Sequence, residues 1–239
     1  MPQLAEDCIR SWKRFCEGYE LVEWNETTFD INAAPEYVKQ AYAAKKWAFV
    51  TDYVRLYALY TCGGIYMDTD VEVLKPLDPF LELNGFSGFE QESSVPTGIM
   101  ASEKGHELVR EWLEEYDSKC FLLPDGTLNQ ETNVEAITRK MKALGLELNN
   151  SLQTVCRFTF YPKDYFCPKS YEDWKIYKTK NTYTIHHFAG SWKTDEEREA
   201  HQKNAKAVRK DKRRRKVKNL IKKIIGEKMY NRVKARIKK

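Results

Sequence analysis

The sequence predicts one α/β domain over residues 1–195, followed by a basic helical tail over residues 196–239. Segments with apolar residues at helical spacing alternate with short apolar runs that are typical of strands. No repeat or low-complexity linker interrupts the first of these regions, which favours a single layered domain. The charge changes sign at the tail: residues 203–239 carry 18 basic and 2 acidic side chains, whereas residues 1–202 carry 22 basic and 33 acidic ones.

The composition is that of a globular protein. Hydrophobic residues make up 42% of the 239 residues, which is enough for one sizeable core. We expect neither a membrane-spanning helix nor an export signal, because the apolar runs are short and the first residues lack the signal-peptide pattern. The six cysteines show no C-x-x-C pairing and no finger-like spacing with histidine, so we expect reduced thiols in a cytoplasmic protein.

The first third of the chain is predicted to contain two helices and two strands. Apolar residues recur at helical spacing near the N-terminus: Leu4, Cys8, Trp12 and Phe15. "YELVEW", residues 19–24, then predicts a short strand. A long helix is predicted from Pro35 to Thr61, ending at "CGG", where a glycine can take the left-handed cap conformation, and a strand begins there.

The remaining elements alternate in the same way. Strands are predicted at four apolar runs: "GFSGFE", "TGIMA", "RFTFYP" and "TYTIHHF". Helices are predicted from two apolar stripes: Leu108, Trp112 and Tyr116, then Val134, Ile137, Met141 and Leu144. The second stripe ends before Gly145, a further glycine cap.

Two carboxylates crowd the end of an apolar run in "GGIYMDTDVEVLKPL", residues 63–77. Because side chains alternate along a strand, Asp68 and Asp70 are predicted to point the same way. Two unpaired carboxylates this close repel each other, so a cation is expected beside them. Mg²⁺ or Mn²⁺ suits the pair, since either ion takes one or two protein carboxylates and completes its shell with water and phosphate oxygens. The alternative is a strand end with solvated acids.

The stretch "AFVTDYVRLYALYTCGGIYMDTDVEVLKPLD", residues 48–78, resembles the sugar-binding DXD region of retaining glycosyltransferases. That group includes capsular polysaccharide synthesis enzymes and initiating α-mannosyltransferases. The resemblance continues through "TGIMASEKGH", "YPKDYFCP" and "NTYTIHHFAGSW", and covers roughly residues 4–193. It implies a GT-A fold, which is a Rossmann-like α/β domain with a mixed sheet that binds a nucleotide sugar and a divalent metal.

The resemblance also implies roles for four residues. Asp68 would contact the ribose or sugar of the donor and share the metal with Asp70, which would bind it on the diphosphate. Asp52 and Arg55, from "TDYVR", would contact the donor sugar. They share one helix face, and the arginine fork suits hydroxyl or phosphate oxygens. Taken without the motif, this pair would be an ordinary intrahelical salt bridge.

The segment "HHFAGSW" supplies the remaining candidates. In related sugar transferases a residue near this place completes the metal shell, so the resemblance nominates His186 or His187. Strand alternation sends the two rings to opposite faces, and we favour His187 as the ligand. The resemblance places Ser191 and Trp192 over the leaving diphosphate, although a tryptophan taken alone is more often core. Asn133 in "QETNVE" is either another site group or a helix cap.

The implied activity is metal-dependent transfer of a hexose, with retention, from a UDP- or GDP-sugar to a glycan acceptor. A metal neutralises the charge on the leaving diphosphate, and the anomeric carbon becomes oxocarbenium-like. No catalytic nucleophile is identified. The family usually opens with a strand I-P-K-I-I-H followed by a tryptophan-containing loop, whereas this sequence begins at "MPQLAEDCIRSW". We therefore expect this sequence to lack the N-terminal strand of the family. Loss of that strand would remove part of the donor pocket and could abolish activity.

The tail over residues 209–239 predicts a basic amphipathic helix with an apolar stripe: Val217, Leu220, Ile221, Ile224 and Ile225. Such a helix can bind an anionic membrane, with each basic residue adding about 1 kcal/mol. It would hold the protein at the inner face of the plasma membrane, near a lipid-linked acceptor. A solvated tail is the alternative. Nucleic acid is not an expected partner, because no recognition motif accompanies the charges.

Two other functions remain open. A non-catalytic module that binds a nucleotide sugar would keep the same site without turnover. "IYMDTDV" also fits the h-h-h-h-D-x-D-x-V start of haloacid-dehalogenase phosphatases, but the later G-D-x-x-x-D pattern of that family is not found in the sequence.

Overall fold

The computed structural model of the protein describes residues 1–190. Contacts between Cα atoms divide this part of the chain into two units, one with Met1–Lys169 and residues 176–190, and another with Ser170–Lys175. In the second, the amide of Ser170 donates to the carbonyl oxygen of Lys175 and closes a turn. The predicted boundary at residue 195 and the predicted tail helix lie outside the described residues.

The first unit contains six α-helices and seven β-strands, which come in runs of one type and do not alternate as the sequence predicted. The helices are α1 (Gln3–Phe15), α2 (Glu36–Ala43), α3 (Trp47–Cys62), α4 (Glu107–Glu114), α5 (Asn133–Ala143) and α6 (Lys163–Phe166). The strands are β1 (Gly64–Met67), β2 (Val71–Val73), β3 (Gly85–Gly88), β4 (Ile99–Ser102), β5 (Gln153–Val155), β6 (Phe158–Tyr161) and β7 (Thr184–His186). Within residues 1–190, no helix is both long enough and apolar enough to cross a membrane.

Five strands form a mixed sheet in the order β1-β4-β3-β6-β5. Strands β3 and β6 run parallel, and the other neighbouring pairs run antiparallel. Strands β2 and β7 form a separate antiparallel pair, in which Val71 lies opposite His186. The predicted α/β class with a mixed sheet is confirmed.

The mixed sheet separates two apolar clusters. Met100 and Phe160 face a cluster built from the buried sides of α2, α3, α4 and α5. Phe86 and Ile99 face the other cluster, which contains Val73 of β2 and is covered by α1. Because side chains of a strand alternate between faces, strands β1, β4 and β6 contribute to both clusters, and the centre of the sheet is buried on both sides.

Helix α1 fixes the position of β2, the strand that follows the two aspartates. The indole Nε1 of Trp12 donates to the carbonyl oxygen of Val71 at 2.6 Å. The amide of Val73 donates to Ser11 Oγ at 2.8 Å. These bonds satisfy backbone groups on the edge of β2 that does not pair with β7, so side chains of a helix take the place of a neighbouring strand.

The predicted strand at residues 19–24 does not form. The backbone of this segment is irregular, and Leu21 and Val22 are 47% and 61% exposed. An extended segment is stable as a strand only when a neighbour accepts its backbone hydrogen bonds, and no strand of the described chain pairs with this one.

The predicted long helix consists of two helices, α2 and α3. The helical conformation is interrupted between them at residues 44–46, where Lys45 has φ 56°. The predicted glycine stop is confirmed, because α3 ends at Cys62 and Gly63 follows with φ 73°. A Cβ atom at Gly63 would lie 2.7 Å from the amide nitrogen of Lys104, so close backbone approach also requires a glycine here.

Candidate metal and donor site

Asp68 and Asp70 lie in the turn between β1 and β2, and not within a strand as the sequence predicted. The amide of Asp68 donates to the carbonyl oxygen of Gly98 at 2.8 Å, and the amide of Val71 donates to the carbonyl oxygen of Asp68 at 2.9 Å. The two carboxylates therefore come together through a tight turn, which replaces strand alternation as the physical reason for their proximity.

His186 lies at the end of β7 and faces both aspartates. Its Nε2 atom is 3.4 Å from Asp70 Oδ1 and 3.8 Å from Asp68 Oδ2. The pairing of β2 with β7 places His186 opposite Val71, directly after the acidic turn. Register between two strands that are distant in sequence thus brings the imidazole to the carboxylates.

The ring of His187, which we favoured as the metal ligand, is directed to Glu72 and does not belong to the cluster of residues that could hold a metal ion. Its Nε2 atom lies 2.9 Å from Glu72 Oε2. Its amide nitrogen donates to the carbonyl oxygen of Asp70 at 3.0 Å. The two histidines do point to opposite sides, as strand alternation predicts, and the ring that enters the site is that of His186.

Arg55 links the helix α3 to the acidic turn. Its Nη2 atom lies 3.2 Å from Asp52 Oδ1 and 3.1 Å from Asp68 Oδ1, and the Arg55 and Asp52 side chains are 12% and 13% exposed. The hydroxyl of Tyr66 donates to Asp68 Oδ1 at 3.0 Å, and the guanidinium lies 4.8 Å from the centre of the Tyr66 ring. The arginine therefore forms the intrahelical salt bridge and also orients the first aspartate of the motif.

Asn133 holds Asp52 from the opposite side. Its amide nitrogen donates to Asp52 Oδ2 at 3.0 Å, and its Nδ2 donates to the Asp52 carbonyl oxygen at 2.6 Å. The hydroxyl of Tyr116 donates to Asn133 Oδ1 at 2.9 Å. The capping residue of α5 is Thr132, which forms a capping box with Glu135. Asn133 is thus neither the cap nor a ligand in the metal cluster.

The site stabilises positive charge at His186. Burial lowers the pKa of His186, but hydrogen bonds with Asp70 and Cys167 and the charges of both aspartates raise it well above its ordinary value. Burial raises the pKa of Asp70, but the hydrogen bond and charge of His186 and the amide of Ala189 lower it below its ordinary value. These opposite shifts are those of an ion pair, in which the imidazolium and the carboxylates favour each other's charged forms.

Asp68, Asp70 and His186 fit a divalent metal ion. One ligand atom from each residue lies within 4.8 Å of the other two. Two ligands of one ion at about 2.1 Å each are separated by at most about 4.2 Å, so small side-chain adjustments suffice. Two carboxylate oxygens and one imidazole nitrogen suit Mn²⁺, and the carboxylates also suit Mg²⁺.

Sequence reasoning missed three residues next to the cluster: Tyr66, Glu90 and Gly98. Tyr66 was detectable, because it lies two positions before Asp68 in a segment that the sequence predicts as one strand, which would place both side chains on one face. Glu90 is buried near His186, but its only signal in the sequence was its place as an acid at the end of a predicted strand. The predicted donor contacts Ser191 and Trp192 lie outside the described residues.

Gly98→Ala is expected to weaken Mn²⁺ binding about tenfold while the protein stays folded. A Cβ atom at Gly98 would lie 2.9 Å from Asp68 Oδ2 and 3.0 Å from His186 Nδ1, so two ligand side chains must move apart. Isothermal titration with Mn²⁺ measures the effect. Gly88→Ala is the matched control, because its Cβ would meet Phe166 at 3.0 Å and no residue of the cluster. Equal affinity of the Gly98 variant and the wild type would contradict this prediction.

The comparison with known families agrees with this geometry. Residues 2–86 match the model of a family described as "Glycosyltransferase sugar-binding region containing DXD motif". The matched stretch includes Asp52, Arg55 and both aspartates of the turn, and ends before His186. No curated protein and no solved structure matches the chain significantly. Residues 2–86 are therefore similar to the DXD sugar-binding region of glycosyltransferases, and the mixed α/β fold is consistent with a GT-A architecture.

Proposed function

We propose that the protein is a metal-dependent retaining glycosyltransferase that moves a hexose from a nucleotide sugar to a glycan acceptor. The observation that carries the proposal is the convergence of Asp68, Asp70 and His186 beside the buried arginine Arg55. Two carboxylates, an imidazole and a guanidinium at one turn suit a diphosphate with its divalent ion and the hydroxyls of a sugar.

Each residue has a separate task in this proposal. Asp70 and His186 would hold the ion, together with Asp68. When bound, a divalent ion supplies Lewis-acid stabilisation of the charge on the leaving diphosphate. Burial lowers the pKa of Arg55, but the neighbouring Asp68, Tyr66 and Asp52 raise it above its ordinary value, so this residue stays cationic beside the donor. Arg55 and the Tyr66 hydroxyl fix the orientation of Asp68.

The acceptor hydroxyl is expected to attack from the face that the diphosphate leaves, which preserves the configuration at the anomeric carbon. We assign no protein nucleophile. The donor in this proposal is a UDP- or GDP-hexose, and the acceptor is a capsular or other cell-surface glycan carried on a lipid, as in capsular synthesis enzymes and initiating α-mannosyltransferases. A cytoplasmic protein held at the inner face of the plasma membrane by residues 209–239 would meet such an acceptor.

A screen of UDP- and GDP-hexoses tests the proposal. The protein is incubated with each donor, with Mn²⁺ or with a chelator, and release of the nucleoside diphosphate is measured. We expect one donor to be cleaved in the presence of Mn²⁺ and chelation to stop the reaction. Donor binding by calorimetry without hydrolysis or transfer would favour the non-catalytic nucleotide-sugar-binding module. Release of inorganic phosphate from phosphomonoesters would favour the phosphatase, and either result would contradict the proposal.

A further inference from the structure

His186 meets carboxylates at both of its ring nitrogens. While Nε2 faces Asp68 and Asp70, Nδ1 lies 3.8 Å from Glu90 Oε1. Nδ1 is fully buried and makes no hydrogen bond with the described residues. Glu90 is 7% exposed, so its carboxylate is withdrawn from solvent on the side of the ring away from the metal cluster.

The two ring nitrogens of a histidine have different roles at a metal site. The nitrogen that binds the ion must offer its lone pair, so the other nitrogen carries the proton. A metal-binding histidine almost always donates that second N–H to a carboxylate, a carbonyl oxygen or water, which fixes both the tautomer and the angle of the ring. In this protein the carboxylate at that place is Glu90.

We propose that Glu90 is a positioning residue that holds Nδ1–H of His186 and thereby turns the Nε2 lone pair toward Asp68 and Asp70. The proposal rests on the proposed function, because it takes His186 to be a ligand of a divalent ion. Glu90 touches neither the ion nor the donor in this arrangement. It acts through the imidazole, and it should therefore change metal affinity more than it changes the fold.

The backbone around Glu90 makes this contact durable. Its amide donates to the carbonyl oxygen of Ser94 at 2.9 Å, and the amide of Phe89 donates to the carbonyl oxygen of Tyr161 at 2.9 Å. The Cα of Glu90 is thus tied to the end of the mixed sheet. A hydrogen bond requires Nδ1 of His186 and Oε1 of Glu90, now 3.8 Å apart, to approach each other by about 1 Å.

Cys167 also lies close to the His186 ring. It is not a hydrogen-bond partner of Nδ1, which therefore stays open toward Glu90. The ring of Phe188 lies 4.2 Å from the ring of His186, centre to centre, and covers it from one side. Gly98 lies near the same nitrogen, where a Cβ atom would be only 3.0 Å away. A glycine at this position therefore preserves the space in which His186 and Glu90 approach each other.

Glu90→Ala and Glu90→Gln test the proposal, with Glu92→Gln as the matched control. Glu92 is exposed, lies in the same loop and loses the same charge. Isothermal titration of the full chain with Mn²⁺ should give an affinity about 10–100-fold weaker for Glu90→Ala. Glu90→Gln should lose less, because its amide oxygen still accepts a hydrogen bond. Glu92→Gln should match the wild type.

The tautomer of His186 provides a readout that a purely structural role would not change. Nitrogen-15 NMR of the Zn²⁺-loaded protein should show wild-type His186 bound through Nε2 and protonated at Nδ1. In Glu90→Ala, we expect His186 to populate more than this one tautomer. Far-UV circular dichroism checks folding, and Glu90→Gln decides the question if the alanine variant unfolds.

Three outcomes would overturn the inference. Wild-type affinity and an unchanged His186 tautomer in the Glu90 variants would overturn it and leave the proposed function intact. An equal loss of Mn²⁺ affinity in Glu92→Gln would show that the effect comes from the net charge of the protein and not from the contact between Glu90 and His186. A wild-type protein that binds no Mn²⁺ would overturn the proposed function, and this inference with it.

Discussion

Asp70→Asn is expected to weaken Mn²⁺ binding strongly and, with it, to slow the Mn²⁺-dependent cleavage of the nucleotide sugar. The substitution keeps the shape of the side chain, and the amide oxygen of asparagine can still accept the hydrogen bond from Ala189. It removes the negative charge that faces His186 Nε2 at 3.4 Å. We expect Mn²⁺ affinity to fall at least about 100-fold, or roughly 2.7 kcal/mol, in a calorimetric titration.

Glu72→Gln is the matched control for this variant. Glu72 lies two residues after Asp70 and loses the same charge, but its carboxylate contacts His187 on the other side of β2. The control should bind Mn²⁺ as the wild type does, with cleavage unchanged. The metal assignment would be contradicted if Asp70→Asn retained wild-type affinity, or if both variants lost affinity to the same extent.

Arg55→Met is expected to lower the free energy of unfolding by about 3–5 kcal/mol. The guanidinium is the cation between Asp52 and Asp68, and its removal leaves two largely buried carboxylates close together without a partner. Urea denaturation followed by circular dichroism measures the loss. Added Mn²⁺ should restore part of the stability, because the ion binds only the folded protein through Asp68 and its neighbours.

Two further variants separate burial from charge in this prediction. Arg110→Met removes an arginine whose pairs with Glu107 and Glu114 are exposed, and should cost less than about 1 kcal/mol. Asp52→Asn combined with Arg55→Met should be more stable than Arg55→Met alone, because one uncompensated charge is gone. If Arg55→Met had the same free energy of unfolding as Arg110→Met, the buried ion pairs of Arg55 would not stabilise the fold.

The sequence predicted much of the candidate site through the family resemblance together with two local rules of spacing. Helical spacing placed Asp52 and Arg55 on one face of α3, and the pair does lie together. The D-x-D spacing predicted that Asp68 and Asp70 converge, which they do, although through a turn. The end of α3 at Gly63 was also predictable from local sequence, because glycine readily adopts a positive φ, here 73°, at the end of a helix.

The rest of the site depends on contacts between distant segments. Alternation along β7 correctly separates His186 from His187, but only the register of β7 against β2 decides which ring faces the aspartates. Asn133 reaches Asp52 because α5 packs beside α3, which no local pattern predicts. The segment at residues 19–24 has the composition of a strand, but it lacks the neighbour that a strand requires.

A crystal of the full chain grown with Mn²⁺ and UDP or GDP, measured at the manganese absorption edge, tests the central claim most directly. We predict one strong anomalous peak within about 2.3 Å of a carboxylate oxygen of Asp70 and of Nε2 of His186. The diphosphate should lie on the open side of the ion. An anomalous peak elsewhere in the protein, or nucleotide bound with no ion at these two residues, would contradict the account.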